Sequence, residues 1–280
     1  MNPSPATPPR IRIWRADDTH TDQMAGLFPS DRGFALGDGL FETLLWTGDN
    51  LRFGTRHMAR LAGSAAALGL AMPWDADWIL RQVTAFVADC SSGPEDVGTK
   101  AVRLTLSCGS GPRGLGRPAV QSPILVGTSA GYDPPTDPVH LARVSITRNP
   151  DSPSAAHKTL SYIDQVLALR QAKALGGDDA LMLSTTGHVA CASAANIVVL
   201  YQGAGLTPPV HDGAMAGIVR GHLLQAGVIE EAHLTPDMLA KCDGAALTNA
   251  LIGVRGICAI DKAPFPTNFQ WIETLRGALT

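Results

Sequence analysis

His157-Lys158-Thr159-Leu160-Ser161-Tyr162, then Ile163 to Leu175, then Gly187-His188-Val189-Ala190-Cys191-Ala192-Ser193-Ala194-Ala195-Asn196-Ile197, is the stretch on which the fold turns. It sets one lysine just before a run of helical character that stops at Gly176-Gly177, as glycine readily ends helices. Beyond the glycines, Ala180 to Leu183, Val189 to Ala192 and Ile197 to Tyr201 read as short strands divided by turns. A lysine that attacks a carbonyl has to shed its proton, which demands a desolvated or cationic setting. Lys158 is followed by alternating apolar residues and has few charges nearby. Taken alone, however, a lysine is ordinarily a solvated surface residue, so the surrounding chain has to decide.

Working toward the N-terminus, Ala101 to Ser107 alternates strictly, with Val102, Leu104 and Leu106 on one face and Arg103, Thr105 and Ser107 on the other. That predicts a half-buried strand. Trp78 to Val87 and His57 to Leu68 have helical spacing, the latter with Leu61, Ala65 and Leu68 on one face. Leu40 to Trp46 reads as a strand that the turn Gly48-Asp49-Asn50 joins to Leu51-Arg52-Phe53 as a hairpin. Asp31 to Gly39 carries Gly33, Gly37 and Gly39 and predicts a tight loop. Ile11 to Trp14 is a first strand. Ala130 to Pro138 is dense in Gly, Pro and Asp, as linkers are. After it, Val139 to Thr147 reads as a strand, Met215 to Ala226 as a helix and Ala245 to Leu247 as a strand. The mixture predicts an α+β protein of two domains: a disordered lead-in over 1–10, a small N-terminal α/β domain over 11–129, a linker over 130–138 and a larger domain over 139–280.

The 280 residues suffice for two modest domains. A formal net charge of −3 with no block of like charges gives no electrostatic support to a nucleic-acid or membrane-surface role. No apolar run is long enough to span a bilayer, and the Pro-rich start has no apolar core for a signal peptide. Five scattered cysteines without a C-x-x-C pair point to a reducing, cytoplasmic compartment. No metal is expected.

Two segments have the makings of an anion site. Gly217-Ile218-Val219 opens a helix, where free backbone N–H groups can face a phosphate and a glycine allows close approach. It reads equally as a helix start with a packing glycine. Thr248-Asn249-Ala250 follows a short strand and offers a hydroxyl and an N–H, or is a plain turn.

In order along the chain, Asp31-Arg32-Gly33-Phe34-Ala35-Leu36-Gly37-Asp38-Gly39-Leu40-Phe41-Glu42-Thr43, His57-Met58-Ala59-Arg60-Leu61-Ala62-Gly63-Ser64-Ala65, Lys158-Thr159-Leu160-Ser161-Tyr162, Thr207-Pro208-Pro209 with Gly217-Ile218-Val219-Arg220, and Thr248-Asn249-Ala250-Leu251-Ile252-Gly253-Val254 resemble the motifs of class IV aminotransferases and their lyase relatives. The last is most similar to the stretch found in 4-amino-4-deoxychorismate lyases. The resemblance spans residues 30 to 262 and implies the fold-type IV architecture, similar to D-amino acid aminotransferase, with a β-barrel-like sheet in the larger domain. It implies pyridoxal 5′-phosphate (PLP) as cofactor and a homodimer with the active site between the domains. Lys158 would hold the cofactor and move the proton. Arg60, Gly217, Ile218, Val219, Thr248 and Asn249 would bind its phosphate, with Cys191, Ala192 and Asn196 also at the cofactor. Arg113 would meet the carboxylate of a small amine substrate, or is a solvated loop arginine. Phe41 would line the pocket or belong to the core, and Tyr162 is a pocket residue or a packing residue.

The pattern has departures. Cys108 stands where an arginine is usual, Val219 where threonine is frequent, and Ala250 where serine is usual. The most consequential is Cys191, at the position of the glutamate that keeps the cofactor's pyridine nitrogen protonated. A neutral thiol cannot hold a proton there, so the ring is a weaker electron sink. That favours a reaction that discharges a carbanion by expelling a leaving group. The leading expectation is therefore a lyase that eliminates pyruvate from aminodeoxychorismate to give 4-aminobenzoate. The alternatives are an aminotransferase for branched-chain or D-amino acids, and a catalytically degenerate PLP-binding protein. On the residues alone, Cys191 also reads as a plain buried cysteine.

Overall fold

A computed structural model of the chain describes residues 9–17, 19–22, 28–90 and 98–279. The chain divides into two compact units, residues 1–133 with 158–161, and residues 134–157 with 162–280. Most of the expected lead-in, residues 1–8, lies outside the described residues.

In the first unit, β1 (Arg10–Arg15), β2 (His20–Thr21), α1 (Arg32–Leu36), β3 (Gly39–Trp46), α2 (Gly54–Ala67), α3 (Ala76–Asp89), β4 (Lys100–Ser107) and β5 (Ile124–Gly131) follow one another. The strands form a five-stranded sheet in the order β2-β1-β5-β4-β3, antiparallel at every pairing. Alternation in β4 works as its sequence predicts. Val102, Leu104 and Leu106 are fully buried against Met58, Leu61, Ile79, Val83 and Phe86 of the two long helices, while Arg103 is exposed. Burying each such side chain contributes roughly 1.5–3 kcal/mol. Asp75 caps α3 by accepting from Trp78 N–H at 2.6 Å, worth about 1 kcal/mol.

The second unit comprises β6 (Val139–Arg143), α4 (Pro153–Ala156), α5 (Ile163–Ala174), β7 (Asp179–Leu183), β8 (Val189–Cys191), β9 (Asn196–Tyr201), β10 (Ala204–Thr207), α6 (Ile218–Gln225), β11 (Glu230–Glu231), α7 (Pro236–Ala240), β12 (Gly244–Asn249), β13 (Gly253–Ile260), β14 (Ala263–Pro264) and α8 (Phe269–Gly277). Its nine-stranded sheet runs β11-β10-β9-β12-β13-β6-β7-β8, with β14 on β13. The pairs β10–β11, β13–β6 and β6–β7 are parallel. Ile197, Val198 and Val199 of β9 are each 0% exposed, so this strand is covered on both faces, as a continuous apolar run requires.

Several boundaries differ from the sequence expectation. Arg10 already belongs to β1, and Ala130 and Gly131 belong to β5, not to a linker. The segment after Asn50 is no full hairpin strand; Leu51 makes one isolated bridge to Trp46. The helix expected from Met215 starts at Ile218. Most important, Lys158–Ser161 belongs with the first unit and not with the 139–280 domain. Phe41 N–H donates to the Lys158 carbonyl at 2.9 Å, Leu160 N–H to that of Gly39 at 3.1 Å, and Leu40 bridges Thr159. The lysine segment is thus bridged to the free edge of β3. Short apolar runs carry no sign of the edge they will join.

Candidate active site

The extended edge of β3 fixes the backbone of Lys158, and the neighbouring side chains set its chemistry. Its Nζ lies 4.2 Å from the centre of the Phe41 ring, while the Arg103 guanidinium lies 3.7 Å from the same ring. Phe41 is 4% exposed. Its ring faces away from α2 and α3, on the side of the sheet where β4 presents Arg103 opposite Thr43. On the helix side, Glu42 is 1% exposed and receives Arg60 through two bonds, Nε to Oε1 at 2.8 Å and Nη2 to Oε2 at 2.6 Å. His57 Nδ1 adds a third at 2.7 Å. Burial pushes Glu42 up, but the bonds from Arg60 and His57 together outweigh it and hold the carboxyl below its ordinary value. Burial lowers His57, against the pull of Glu42. Lys158 is lowered from 10.5 to about 8, chiefly by burial and then by Arg60 and Arg103, with Glu42 opposing. An amine so placed gives up its proton close to neutrality, as a nucleophilic or proton-moving lysine needs.

In the second unit the strand register brings a second group together. Asn196, the first residue of β9, pairs with Thr248 near the end of β12. Asn196 Nδ2 donates to the Met215 carbonyl at 2.9 Å and so holds the chain entering α6. Gly217 caps that helix, and a Cβ placed on it would overlap Asn196 Oδ1. Only glycine permits this approach. Thr248 is fully buried, and its Oγ1 has no hydrogen-bond partner. A buried hydroxyl lacking a partner is costly unless a ligand satisfies it. The first turn of α6, with Ile218 and Val219 both buried, leaves its N–H groups outside the helical ladder. A hydroxyl and a helix start of this kind can hold a phosphate.

Cys191 ends β8 opposite Met182. Burial pushes its thiol up to about 11, against Arg148 and with Asp179. Asp179 lies close enough to Cys191 to act on its thiol, and one of its oxygens is engaged. Its Oδ1 accepts from Ser193 N–H, from the Ser193 hydroxyl and from Ala180 N–H. Ala192 is buried, and its N–H donates to the Ala195 carbonyl at 2.9 Å. The Asn249 carboxamide closes its own turn, its Oδ1 accepting from Leu251 and Ile252 N–H at 2.9 Å each. The side chain is therefore committed to structure. Arg113 is exposed in the loop after β4. Arg32 secures that loop through the carbonyls of Gly114, Leu115 and Gly116. Tyr162 is half-buried at the start of α5.

Sequence reasoning missed Arg103, Glu42, Arg148 and Asp179 as participants. Arg103 had a visible signal: it breaks the apolar pattern of β4 on the face turned from the core. Its proximity to Phe41 needs the β3–β4 register, which no local pattern reveals. Arg148 is 5% exposed and donates to the Gly213 carbonyl at 3.2 Å, a partner far along the chain.

Comparison with known proteins identifies the family. Residues 39–260 match the family described as amino-transferase class IV. An aminodeoxychorismate lyase of Vibrio harveyi is 26% identical over 89% of this chain and 94% of its own. A branched-chain-amino-acid aminotransferase of Pseudomonas aeruginosa is 28% identical over 73% of this chain and 69% of its own. Among solved structures, a fold-type IV transaminase from Curtobacterium pusillum superposes with a TM-score of 0.82 at 26% identity, covering 98% of this chain and 99% of that one. The two-unit α+β architecture is that of fold-type IV enzymes. The chain belongs to the class IV aminotransferase family and is a PLP-dependent enzyme.

Proposed function

We propose that the protein is a lyase that eliminates pyruvate from 4-amino-4-deoxychorismate and leaves 4-aminobenzoate. The observation that carries this reading is the buried, neutral thiol of Cys191 in a chain whose lysine is lowered to about 8. The residues present fit the cofactor. Lys158 is the amine that would hold its aldehyde carbon. Within the second unit, the first turn of α6 behind Gly217 and the orphaned Thr248 hydroxyl suit its phosphate; Arg60 is assigned to it only by the resemblance, its guanidinium being bonded to Glu42. When bound, PLP supplies an electron sink for a carbanion beside the amine nitrogen.

The chain's own groups then select the reaction. Lys158, able to be neutral near pH 8, accepts the proton at the substrate carbon. Arg103 beside Phe41 offers a guanidinium to a substrate carboxylate, in place of or together with Arg113. Cys191 keeps its proton at ordinary pH and has no charge with which to fix a proton on a ring nitrogen. Elimination makes the smallest demand on such a sink, since loss of pyruvate makes the substrate ring aromatic and removes the charge at once. Transamination has to return a proton to a second carbon and gains more from a strong sink. The V. harveyi lyase relative supports the first reading, and the branched-chain aminotransferase relative supports the second.

A homodimer suits α5, whose inner stripe is Gln165, Ala168 and Ala172 while Ile163, Val166 and Leu167 are exposed. A helix apolar on both sides calls for a second cover. Among the described residues no helix is long and apolar enough to cross a membrane. The free thiols of Cys108, Cys191 and Cys242 support a reducing compartment such as the cytoplasm.

The deciding experiment gives the PLP-loaded protein aminodeoxychorismate and, separately, a panel of amino acids with 2-oxoglutarate. Pyruvate release well above transamination is the expected result. Transamination exceeding pyruvate release would establish the aminotransferase instead, and neither activity with cofactor retained would leave a catalytically degenerate binder.

A further inference from the structure

Outside the residues discussed so far, His188, Asp212 and His233 converge, with ligand-capable atoms all within 4.8 Å of one another. We propose that they form a site for a divalent transition metal of the zinc, cobalt or nickel type. Asp212 is nearly buried, its side chain 4% exposed, and it presents both carboxylate oxygens to imidazoles. His188 Nδ1 is 3.1 Å from Oδ1, and His233 Nδ1 is 2.8 Å from Oδ2. Two ligands on a tetrahedral zinc stand about 3.4 Å apart, given bond lengths near 2.1 Å. The two separations found here are somewhat shorter, so an ion that replaces the imidazole protons has to spread the three side chains slightly.

The setting has further marks of a metal centre. His233 Nε2 lies 3.4 Å from His211 Nε2, the kind of outer partner that fixes a metal-bound imidazole and holds its remaining N–H. His233 is half exposed and His188 a third exposed, which leaves an entry path and room for water as further ligands. Two nitrogens with one carboxylate favour borderline metals over calcium and magnesium, which prefer oxygen alone.

The backbone prepares the site. Val189 N–H donates to the Leu234 carbonyl at 2.8 Å, and Ala232 N–H to that of Thr207 at 3.0 Å. Three separate connections are thereby held side by side: β7 to β8, β10 to α6, and β11 to α7. A metal would staple them. One leads into the strand that ends at Cys191, and another into the glycine cap of α6. The site is thus structural, securing the chain ahead of both. It stands independently of the lyase reading.

The test is titration of untagged, chelator-treated, PLP-loaded full-length protein with ZnCl2 by calorimetry, and with CoCl2 by visible absorption. One equivalent should bind and raise the thermal midpoint. His188→Ala and His233→Ala should each weaken it at least tenfold, and His211→Ala less. The cobalt spectrum should lack thiolate-to-metal bands, since none of the five cysteines takes part. No saturable binding, binding unchanged in both His188→Ala and His233→Ala, or a thiolate spectrum would each overturn the proposal.

Discussion

Cys191, which we propose stands at the position of the family's glutamate, makes a prediction that can be measured on one side chain. Cys191→Glu introduces the acid that the family places there. If the thiol faces the ring nitrogen, the variant should raise the half-reaction from amino acid to keto acid by tenfold or more, followed by stopped-flow absorption; no change or a loss would remove Cys191 from that position. Lys158 makes a prediction about pH. Its folded value of about 8 lies below its ordinary 10.5. Below pH 8 the folded and unfolded apo chains both carry the proton, and the fold bears the cost of burying it. Between about 8 and 10.5 the folded chain sheds the proton first, so the unfolded state binds more protons and stability rises with pH. The stability of the cofactor-free protein to urea should differ from that of Lys158→Met by this rise, measured as the difference between the two because the Cys191 and Cys242 thiols, pushed up to about 11, act in the opposite direction above pH 9. Lys158 and Cys191 could be singled out in the sequence because the motifs around them are local. Arg103, Glu42 and Asp179 could not, since their importance lies in partners that strand register and tertiary folding bring to them.

Among the elements, the start of α6 depends on a single missing methyl group. Gly217→Ala would drive a Cβ into Asn196 Oδ1, which shares its register with Thr248. The helix cap has to shift, and the orphaned Thr248 hydroxyl and the first-turn N–H groups lose their common aim. PLP should bind at least tenfold more weakly in Gly217→Ala, read by equilibrium dialysis, with far-ultraviolet circular dichroism close to the parent. Retained affinity would mean that α6 does not hold the phosphate. The helix itself was predicted, but three residues too early, because Met215 to Gly217 shares the apolar character of the helix while its chain is held extended by the Asn196 bond. Strong periodicity made α2, α3 and β4 plain. β5 and β13 have no comparable alternation and went unseen, although they lie inside their sheets.

On the scale of the whole molecule, the exposed apolar side of α5 predicts association. Val166 is 56% exposed on that helix, and Val166→Asp should convert a dimer to monomers in sedimentation, with secondary structure intact. A parent protein already monomeric at micromolar concentration would remove the case for a homodimer. The number of units was legible from the Gly- and Pro-rich stretch near Tyr132, but their membership was not. The polypeptide passes from one unit to the other at 133/134, returns at 157/158 and leaves again at 161/162. No single cut in the gene can therefore release two self-sufficient proteins. A break after Asp133 strips the first unit of the segment that bears its lysine, and a break after Ser161 leaves the second without β6. A single crossover between relatives would therefore carry over neither unit whole.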